Sequence, residues 1–227
     1  MLRFLTAGES HGEALVALLS GIPAGLGVDL QFVDYELWRR QQGYGRGGRQ
    51  KIEHDHAHFL SGVRQGQSIG SPISILLANR DWQSWKESLP VGAGNPAEHR
   101  PVFAPRPGHA DLAGALKFNF PEARFVLERA SARESAARVA VGAVAKLLLR
   151  QLNVEVLSHV VAVGAERLRT QPSWNEIREL SEKAEILLNC ADPATEQRMK
   201  AQVDEALRTG DSVGGVFEVI AHGVPPG

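Results

Sequence analysis

A glycine-bounded pattern occurs twice along this 227-residue chain, and the two copies constrain the fold more than any other feature of the sequence. Gly8-Glu-Ser-His-Gly12 resembles Gly210-Asp-Ser-Val-Gly214, and Gly21-Ile-Pro-Ala-Gly25 resembles Gly223-Val-Pro-Pro-Gly227. Both pairs have the same offset of 202 residues, and an apolar segment lies between the motifs of each copy. We therefore predict a duplicated unit of turn, strand and turn. The alternative is a chance match among common glycines.

This repeat predicts how the chain is organised. We expect a single domain over 1–227, with a first repeat at about 1–150, connecting elements at about 151–209 and the start of a second repeat at 210–227. Because the second copy has only begun at Gly227, we interpret the second half as incomplete in this chain.

The composition is that of a globular protein, with 43% hydrophobic and 22% charged residues. The 25 Lys and Arg residues nearly balance the 26 Asp and Glu residues, so the molecule as a whole is not expected to attract nucleic acid or an anionic membrane. Cys190 is the single cysteine, which fits a reducing compartment. No stretch approaches about 18 consecutive apolar residues, and the first residues carry no export signal. We expect a cytoplasmic protein that does not span a membrane.

Short strands and helices alternate along the chain, which predicts an α+β fold. Strands are predicted at 13–20, 58–63, 72–78 and 154–162, with the second and third forming a hairpin. The predicted helices run from Asp34 to Gly43, from the capping-box sequence Ser131-Ala-Arg-Glu134 to Gln151, and onward from Ser173-Trp-Asn-Glu176 and Asp192-Pro193. Residues 81–107 are rich in Pro, Gly and Trp, lack a stable period and are predicted to form an ordered loop.

The densest positive charge lies between Leu37 and Lys51. This segment has no acidic residue, and its cationic residues are Arg39, Arg40, Arg46, Arg49 and Lys51, interspersed with glycines. Guanidinium groups and bare backbone amides can converge there on one anion, such as a phosphate or carboxylate. The alternatives are a solvated basic loop and a single-stranded nucleic-acid binder that uses the same arginines.

A second anion site is conceivable where Arg129 and Arg133 flank Ser131. The unpaired amides at a helix N-terminus favour a phosphate group there. Glu134 at the third helical position competes for the same place. An ordinary capped helix with exposed arginines is the alternative.

Two histidines lie in glycine-flanked turns. His11 lies in Gly8-Glu-Ser-His-Gly12 and His109 in Arg106-Pro-Gly-His-Ala-Asp111. A histidine held in this way can act as a general acid, or can simply satisfy hydrogen bonds of the turn. His54, His56 and His58 alternate as metal ligands on a strand do, but no second cluster supports them, and we predict no metal site. The turn around Ser10 has only the form of a serine nucleophile motif, and the later elements of that fold are absent from the sequence.

Four motifs in this order resemble the chorismate synthase family. They are Gly8-Glu-Ser-His-Gly12, Gly43-Tyr-Gly-Arg-Gly-Gly-Arg49 with Ile52-Glu-His-Asp55, Arg106-Pro-Gly-His-Ala-Asp111 and Glu128-Arg-Ala-Ser-Ala-Arg-Glu134. Shorter matches occur at Ser61-Gly-Val-Arg64, Gly70-Ser-Pro72 and Asn79-Arg-Asp-Trp82. The resemblance covers most of 1–150 and continues more thinly to 227.

The resemblance implies an activity and an architecture. The expected reaction is 1,4-elimination of phosphate and a ring proton from 5-enolpyruvylshikimate 3-phosphate to give chorismate, with reduced FMN required but not consumed. This is a lyase reaction of the shikimate pathway toward aromatic amino acids. The implied fold is a β-α-β sandwich with an internal pseudo-twofold duplication, assembled as a homotetramer. The implied substrate carries one phosphate and two carboxylates, which the arginine cluster described above would suit.

The resemblance also implies roles for individual residues. His11 is expected to act as the acid toward the departing phosphate, and His109 to protonate or balance the reduced flavin. The expected substrate-binding residues are Ser10, Arg40, Arg46, Arg49 and Arg133, of which Arg40 and Arg46 are also associated with NADPH. Arg129, Ala130 and Ser131 match a segment that contacts FMN, with Ala130 in a place where the family often has Ser.

The length of the chain leaves an alternative. Members of the family extend well beyond this point, and their further flavin-binding residues and an Asp near the flavin lie in the part that has no counterpart here. The chain is therefore also interpreted as an inactive, truncated relative that binds flavin or a phosphoanion without forming chorismate.

Overall fold

The computed structural model describes residues 1–45, 54–183 and 185–226, and the chain divides into two compact units. The first unit comprises Met1–Trp38 and Lys51–Leu147, and the second comprises Arg39–Gln50 and Leu148–Gly227. Both contain helices and strands, so the predicted α+β class is confirmed. The layer order of the sandwich stays a prediction.

The first unit is built on a four-stranded antiparallel sheet with strand order β1-β2-β6-β3. Its strands are β1 (Arg3–Ala7), β2 (Ala14–Ser20), β3 (His58–Ser61) and β6 (Ile73–Ala78). The strands β4 (Val63–Arg64) and β5 (Gln67–Ser68) form a short ribbon between β3 and β6. The predicted strand at 13–20 and the hairpin are confirmed, whereas β1 was not predicted.

One face of this sheet is buried because apolar residues alternate along its two central strands. The buried side chains on β2 and β6 are Leu15, Ala17, Leu19, Ile73, Ile75 and Leu77. Helices α1 (Leu30–Gln41) and α4 (Ser135–Arg150) add their own buried apolar residues to the core of the unit. Helices α2 (Asp111–Phe118) and α3 (Arg124–Ala130) lie between them in the chain and were not predicted.

The prediction that Asp34 caps the first helix is wrong. Helix α1 begins four residues earlier, and the Asp29 side chain accepts hydrogen bonds from the amides of Gln31 and Phe32. Asp34 lies inside the helix, where its carboxylate accepts the amide of Ala57. The Asp34 carboxylate, which the local sequence assigned to the helix cap, therefore accepts a hydrogen bond from a residue that is distant in sequence.

The capping box predicted at Ser131 is also wrong. Ser131 caps a single 3-10 turn at Ala132–Glu134, and α4 begins only at Ser135. The Glu134 carboxylate accepts the Thr6 hydroxyl and the Arg138 guanidinium. Strand β1 thus supplies a partner that sequence spacing could not reveal. The predicted loop at 81–107 contains the 3-10 turns Arg80–Ser84 and Pro96–Glu98 and no strand or α-helix.

The second unit contains a three-stranded antiparallel sheet with strand order β8-β7-β9. Its strands are β7 (Glu155–Val163), β8 (Glu166–Arg167) and β9 (Gly215–His222), and its helices are α5 (Trp174–Ser181) and α6 (Pro193–Thr209). The predicted strand at 154–162 and the helix starts at Ser173 and Asp192 are confirmed, including the capping box at Ser173. Cys190 and Met199 are buried in the core of this unit.

The two sequence repeats share one backbone feature, a strand between two glycines of positive φ. Strands β2 and β9 occupy corresponding positions, and each is preceded by a glycine of positive φ, Gly8 at 102° and Gly210 at 70°. Each is followed by another such glycine, Gly21 at 92° and Gly223 at 80°. A Cβ at either of these last two would collide with a backbone carbonyl, because the chain approaches closely there. A strand flanked by glycines of positive φ therefore occurs in both copies, while the duplicated unit and the predicted domain boundaries stay predictions.

A membrane-spanning helix is not found in the described part of the chain, since none there is long and apolar enough.

Candidate active site

His11 lies in the turn that joins β1 to β2. Gly8 opens this turn with a φ of 102°, and a Cβ at this position would collide with the backbone of Ala14. The amide of Ser10 donates a hydrogen bond of 2.9 Å to the carbonyl oxygen of Glu128 on α3. Ser10 is buried. These contacts hold the turn against α3 and so determine where the His11 ring lies.

Polar and aromatic groups surround the His11 ring. Its Nδ1 lies 2.8 Å and 3.0 Å from the two carboxylate oxygens of Glu128. The His11 amide donates to the same carboxylate at 2.9 Å. Its Nε2 lies 3.8 Å from a carboxylate oxygen of Asp81. The centre of the Trp85 ring is 4.3 Å from the centre of the imidazole. The environment therefore distinguishes the two ring nitrogens of His11.

Glu128 is a buried carboxylate that remains charged. Burial acts to raise the pKa of Glu128, but hydrogen bonds and the charge of His11, with a hydrogen bond from Arg124, outweigh it and lower the pKa below its usual value. Arg124 is four residues earlier on the same helix face, with its Nη1 3.3 Å from the carboxylate. Glu128 is thus an anionic hydrogen-bond acceptor for His11.

A buried polar network supports the turn from the side of the sheet. The Asn79 side-chain amide donates to the carbonyl oxygens of Glu9 and Gly12 at 3.0 Å and 2.8 Å. The side-chain oxygen of Asn79 accepts a hydrogen bond of 2.8 Å from Nε of Arg133. Nη1 of Arg133 donates to the Asp55 carboxylate at 2.6 Å. The Arg133 and Asp55 side chains are 4% and 0% exposed. Arg133 therefore contributes to the shape of the His11 turn.

His109 lies in a second turn, which precedes α2. Arg106 donates to the Asp111 carboxylate through its amide, Nε and Nη2. Gly108, with a φ of 72°, supplies the bend between them. The hydrogen bond from Arg106 lowers the pKa of the Asp111 carboxyl against the opposing effect of burial. His109 is exposed at the tip of this closed turn.

A cleft of about 670 Å³ lies beside the His11 turn. Trp82, Leu89 and Phe125 form apolar parts of its wall, and Arg129 and Glu128 add charge. The Arg129 side chain is 43% exposed, and its Nη2 donates to the carbonyl oxygen of Thr6 at 3.0 Å. Glu9 and Glu13 also line the cleft, which therefore combines an apolar wall with several carboxylates and one cation.

The suggested anion site around Ser131 has one buried and one exposed arginine. Ala130 is the exposed last residue of α3, and the Ser131 hydroxyl accepts the amide of Arg133. Arg129 lies at the cleft, whereas Arg133 is directed to Asp55 and Asn79. The two guanidinium groups thus have different partners.

The arginine cluster of the sequence is described only in part. Arg40 lies in the last turn of α1 and is partly buried. Arg46 and Arg49 lie outside the described residues, as does Lys51. Convergence of these arginines on one anion stays a prediction.

The three alternating histidines do not form a strand together, because β3 begins only at His58. Nδ1 of His56 pairs with Asp34 at 3.0 Å. Across 1–45, 54–183 and 185–226, no group of three or more His, Cys, Asp or Glu side chains is placed to hold a metal ion.

Sequence reasoning assigned no role to Glu128, Asn79 and Asp55, which contribute to the position of His11. Glu128 and Asp55 stand in motifs of the resemblance, and Asn79 opens one of its shorter matches. Glu128 and Asn79 each follow an apolar run in the sequence, whereas Asp55 lies among histidines and carries no such local signal. Their partners are 54 to 117 residues away in sequence, so pairing could not be inferred from spacing.

The family model described as chorismate synthase matches residues 2–227. The chain belongs to the chorismate synthase family. It is 68% identical over its whole length to the chorismate synthase of Koribacter versatilis (strain Ellin345) and 63% identical to that of Acidobacterium capsulatum. It spans 58% of the length of each of these relatives.

A solved structure described as a crystal structure of chorismate synthase supports the same fold. It superimposes with a TM-score of 0.74 at 37% sequence identity. The match covers 97% of this chain and 58% of the solved chain. The chain thus shares its fold with a chorismate synthase over the part that it spans.

Proposed function

We propose that this chain carries out the reaction of chorismate synthase, the loss of phosphate and a ring proton from 5-enolpyruvylshikimate 3-phosphate to form chorismate. It is then a lyase of aromatic amino acid biosynthesis. The observation that carries the proposal is the family match along 2–227. The described site agrees with it, because a histidine and a cleft of ligand size occur side by side.

In this proposal His11 is the acid toward the leaving phosphate. Departure of phosphate leaves negative charge on oxygen, and a proton from an imidazole neutralises that charge. The turn supports this role because hydrogen bonds from Ser10 and Asn79 hold it at both sides. His109, on the turn closed by Arg106 and Asp111, is proposed to protonate or balance the reduced flavin.

The substrate is proposed to bind through Ser10, Arg40, Arg46, Arg49 and Arg133. A phosphate and two carboxylates call for several guanidinium groups, since their paired N–H donors match both anions. Arg133 is nearly fully buried, so we assign it mainly to the shape of the turn that faces the substrate.

The cleft beside the His11 turn is the place that we propose for FMN. Its apolar wall suits an isoalloxazine, and the half-exposed Arg129 suits an anionic group. We propose that Arg129, Ala130 and Ser131 hold reduced FMN there. When bound, reduced FMN supplies electron density that stabilises the electron-poor allylic fragment. NADPH is proposed to use Arg40 and Arg46.

We further propose a homotetramer in the cytoplasm. The compartment is supported by the single cysteine, Cys190, which is free. The tetramer rests on the family resemblance alone.

Anaerobic turnover of 5-enolpyruvylshikimate 3-phosphate with chemically reduced FMN tests the proposal. Chorismate is followed by its absorbance, with the 227-residue chain, a His11→Gln variant and a His109→Ala variant. We expect chorismate from the unchanged chain and much less from both variants. His58→Gln is the matched control, because His58 is exposed on β3 and has no proposed role.

Flavin titration separates the two functions considered for this chain. Tight binding of reduced FMN with no chorismate would refute catalysis by this chain and favour the truncated, inactive flavin binder. Equal turnover by His11→Gln and the unchanged chain would refute the role of His11.

A further inference from the structure

We propose that Glu128 is a positioning residue that keeps a proton on Nδ1 of His11, so that Nε2 is the nitrogen that passes its proton to the leaving group. This inference rests on the proposed function, because it concerns the acid in that reaction. It adds a residue that acts on the leaving group through His11.

The geometry at Glu128 identifies which ring nitrogen of His11 carries the proton. A carboxylate only accepts hydrogen bonds, so a ring nitrogen at 2.8 Å from it must carry the proton. The same carboxylate accepts the His11 amide at 2.9 Å, which fixes the backbone and the ring together. If the ring rotated, Nδ1 would lose its hydrogen bond to Glu128, while the His11 amide would keep its own.

The charge state of Glu128 supports this arrangement. The side chain is 3% exposed, and Arg124 lies on the same carboxylate at 3.3 Å. The lowered pKa of Glu128 is consistent with an ionised carboxylate at neutral pH. An ionised carboxylate holds an N–H donor more firmly than a neutral acceptor does.

The proton transfer is balanced under this assignment. The C–O bond to phosphate breaks with its electron pair on the phosphate oxygen, and that oxygen takes the proton from Nε2 of the imidazolium. Nδ1 retains its own proton, which stays hydrogen-bonded to the Glu128 carboxylate throughout, so the product is the neutral Nδ1–H tautomer. The role parallels that of a carboxylate that orients a catalytic histidine.

A second histidine in the same unit contacts a carboxylate through its other ring nitrogen and serves as an internal reference. His99 contacts Glu122 through Nε2 rather than Nδ1. Glu122 is also a buried carboxylate, and it additionally accepts the amide of Val102 at 2.9 Å. The neutral tautomers of His11 and His99 should therefore differ within one sample.

Nitrogen-15 NMR of the imidazoles in the 227-residue chain tests this directly, at a pH where the histidines are neutral. We expect His11 to show a protonated Nδ1 and an unprotonated Nε2, and His99 to show the reverse. In Glu128→Ala, His11 should shift toward the mixture of free histidine, in which the Nε2–H form predominates. In Glu128→Gln the Nδ1–H population should also fall, because an amide can donate as well as accept.

Glu122→Gln is the matched control. It replaces a buried carboxylate beside a histidine without touching the His11 turn, so it should alter His99 and leave His11 unchanged. An unchanged His99 spectrum shows that Glu128→Ala retains the fold. The inference is overturned if His11 is mainly Nε2–H in the unchanged chain, or if both Glu128 variants keep the same Nδ1–H population as the unchanged chain.

Kinetics provide the second readout. Loss of the correct tautomer should lower kcat by about 10²- to 10⁴-fold with little change in KM. A merely structural role would instead raise KM or abolish folding. If the chain forms no chorismate but the tautomers behave as expected, the proposed function fails and the positioning of His11 stands. Normal kcat in Glu128→Ala overturns the inference.

Discussion

Replacing Asp55 by Asn should destabilise the first unit strongly, although Asp55 makes no contact with His11 among the contacts described above. The change removes the carboxylate charge that pairs with the guanidinium of Arg133 in a buried site. The two side chains are 0% and 4% exposed, and their closest atoms are 2.6 Å apart. Solvent therefore cannot replace the lost partner.

The magnitude follows from the burial of the pair. Breaking a buried ion pair by removing one partner costs about 3 to 5 kcal/mol. Arg133 retains hydrogen bonds to Asn79 and to the carbonyl oxygen of Ala78, so we expect the lower end of that range. A loss of about 3 kcal/mol corresponds to an increase of roughly 100-fold in the unfolding equilibrium constant.

Urea denaturation followed by tryptophan fluorescence measures this loss. Three of the four tryptophans, Trp38, Trp82 and Trp85, belong to the first unit and report on its unfolding. Arg208→Met is the control, because Arg208 and Glu205 form a pair on the exposed face of α6 and should contribute nothing measurable. A loss below about 1 kcal/mol for Asp55→Asn would refute the argument that this buried pair stabilises the unit.

Three further changes test other parts of the structure. Asn79→Ala removes the donors to the 9–12 turn and should cost about 1 to 3 kcal/mol in urea denaturation; unchanged amide exchange within the turn would contradict this. Gly21→Ala should lower the melting temperature clearly, because φ is 92° and the added Cβ meets a backbone carbonyl, whereas Gly214→Ala has open space and should not. The pKa of Asp111 is lowered, chiefly by its hydrogen bond from Arg106. The contribution of ionised Asp111 to stability should therefore be complete above the ordinary carboxyl pKa of about 4. It should disappear as pH falls through the lower pKa of the folded state. Comparing the unfolding free energies of the unchanged chain and Asp111→Asn across pH measures it, and a difference that does not shrink in acid would be inconsistent with this assignment.

Local sequence signals were reliable where both partners lie within a few residues. The capping box at Ser173 and the cap at Asp192 are confirmed because three or four residues contain the whole interaction. The buried strand β2 is confirmed because its apolar residues are bounded by glycines at both ends. The same reasoning failed at Glu134, because its carboxylate accepts a hydrogen bond from Thr6, which is 128 residues away in sequence.

The candidate site shows the same division. Its two turns and their histidines were predicted from glycine motifs, and the order of the motifs resembled the family to which the chain belongs. The role of Arg133 was predicted from its motif as substrate binding and stays a prediction, but its burial on Asp55 could not be predicted. Exposure depends on the packing of distant elements, which residue type alone does not determine.

The sequence by itself determined the α+β class, the repeated glycine turns and the family, because these depend on periodicity, on backbone conformations that favour glycine and on the order of motifs. Only the tertiary structure decided which groups surround His11. Glu128 lies 117 residues from His11 in sequence, and α3 holds its carboxylate at Nδ1 where the amide of Ser10 contacts the same helix. A pairing of this kind depends on the relative placement of elements, and that placement is set by the burial of their apolar faces rather than by the residues that pair.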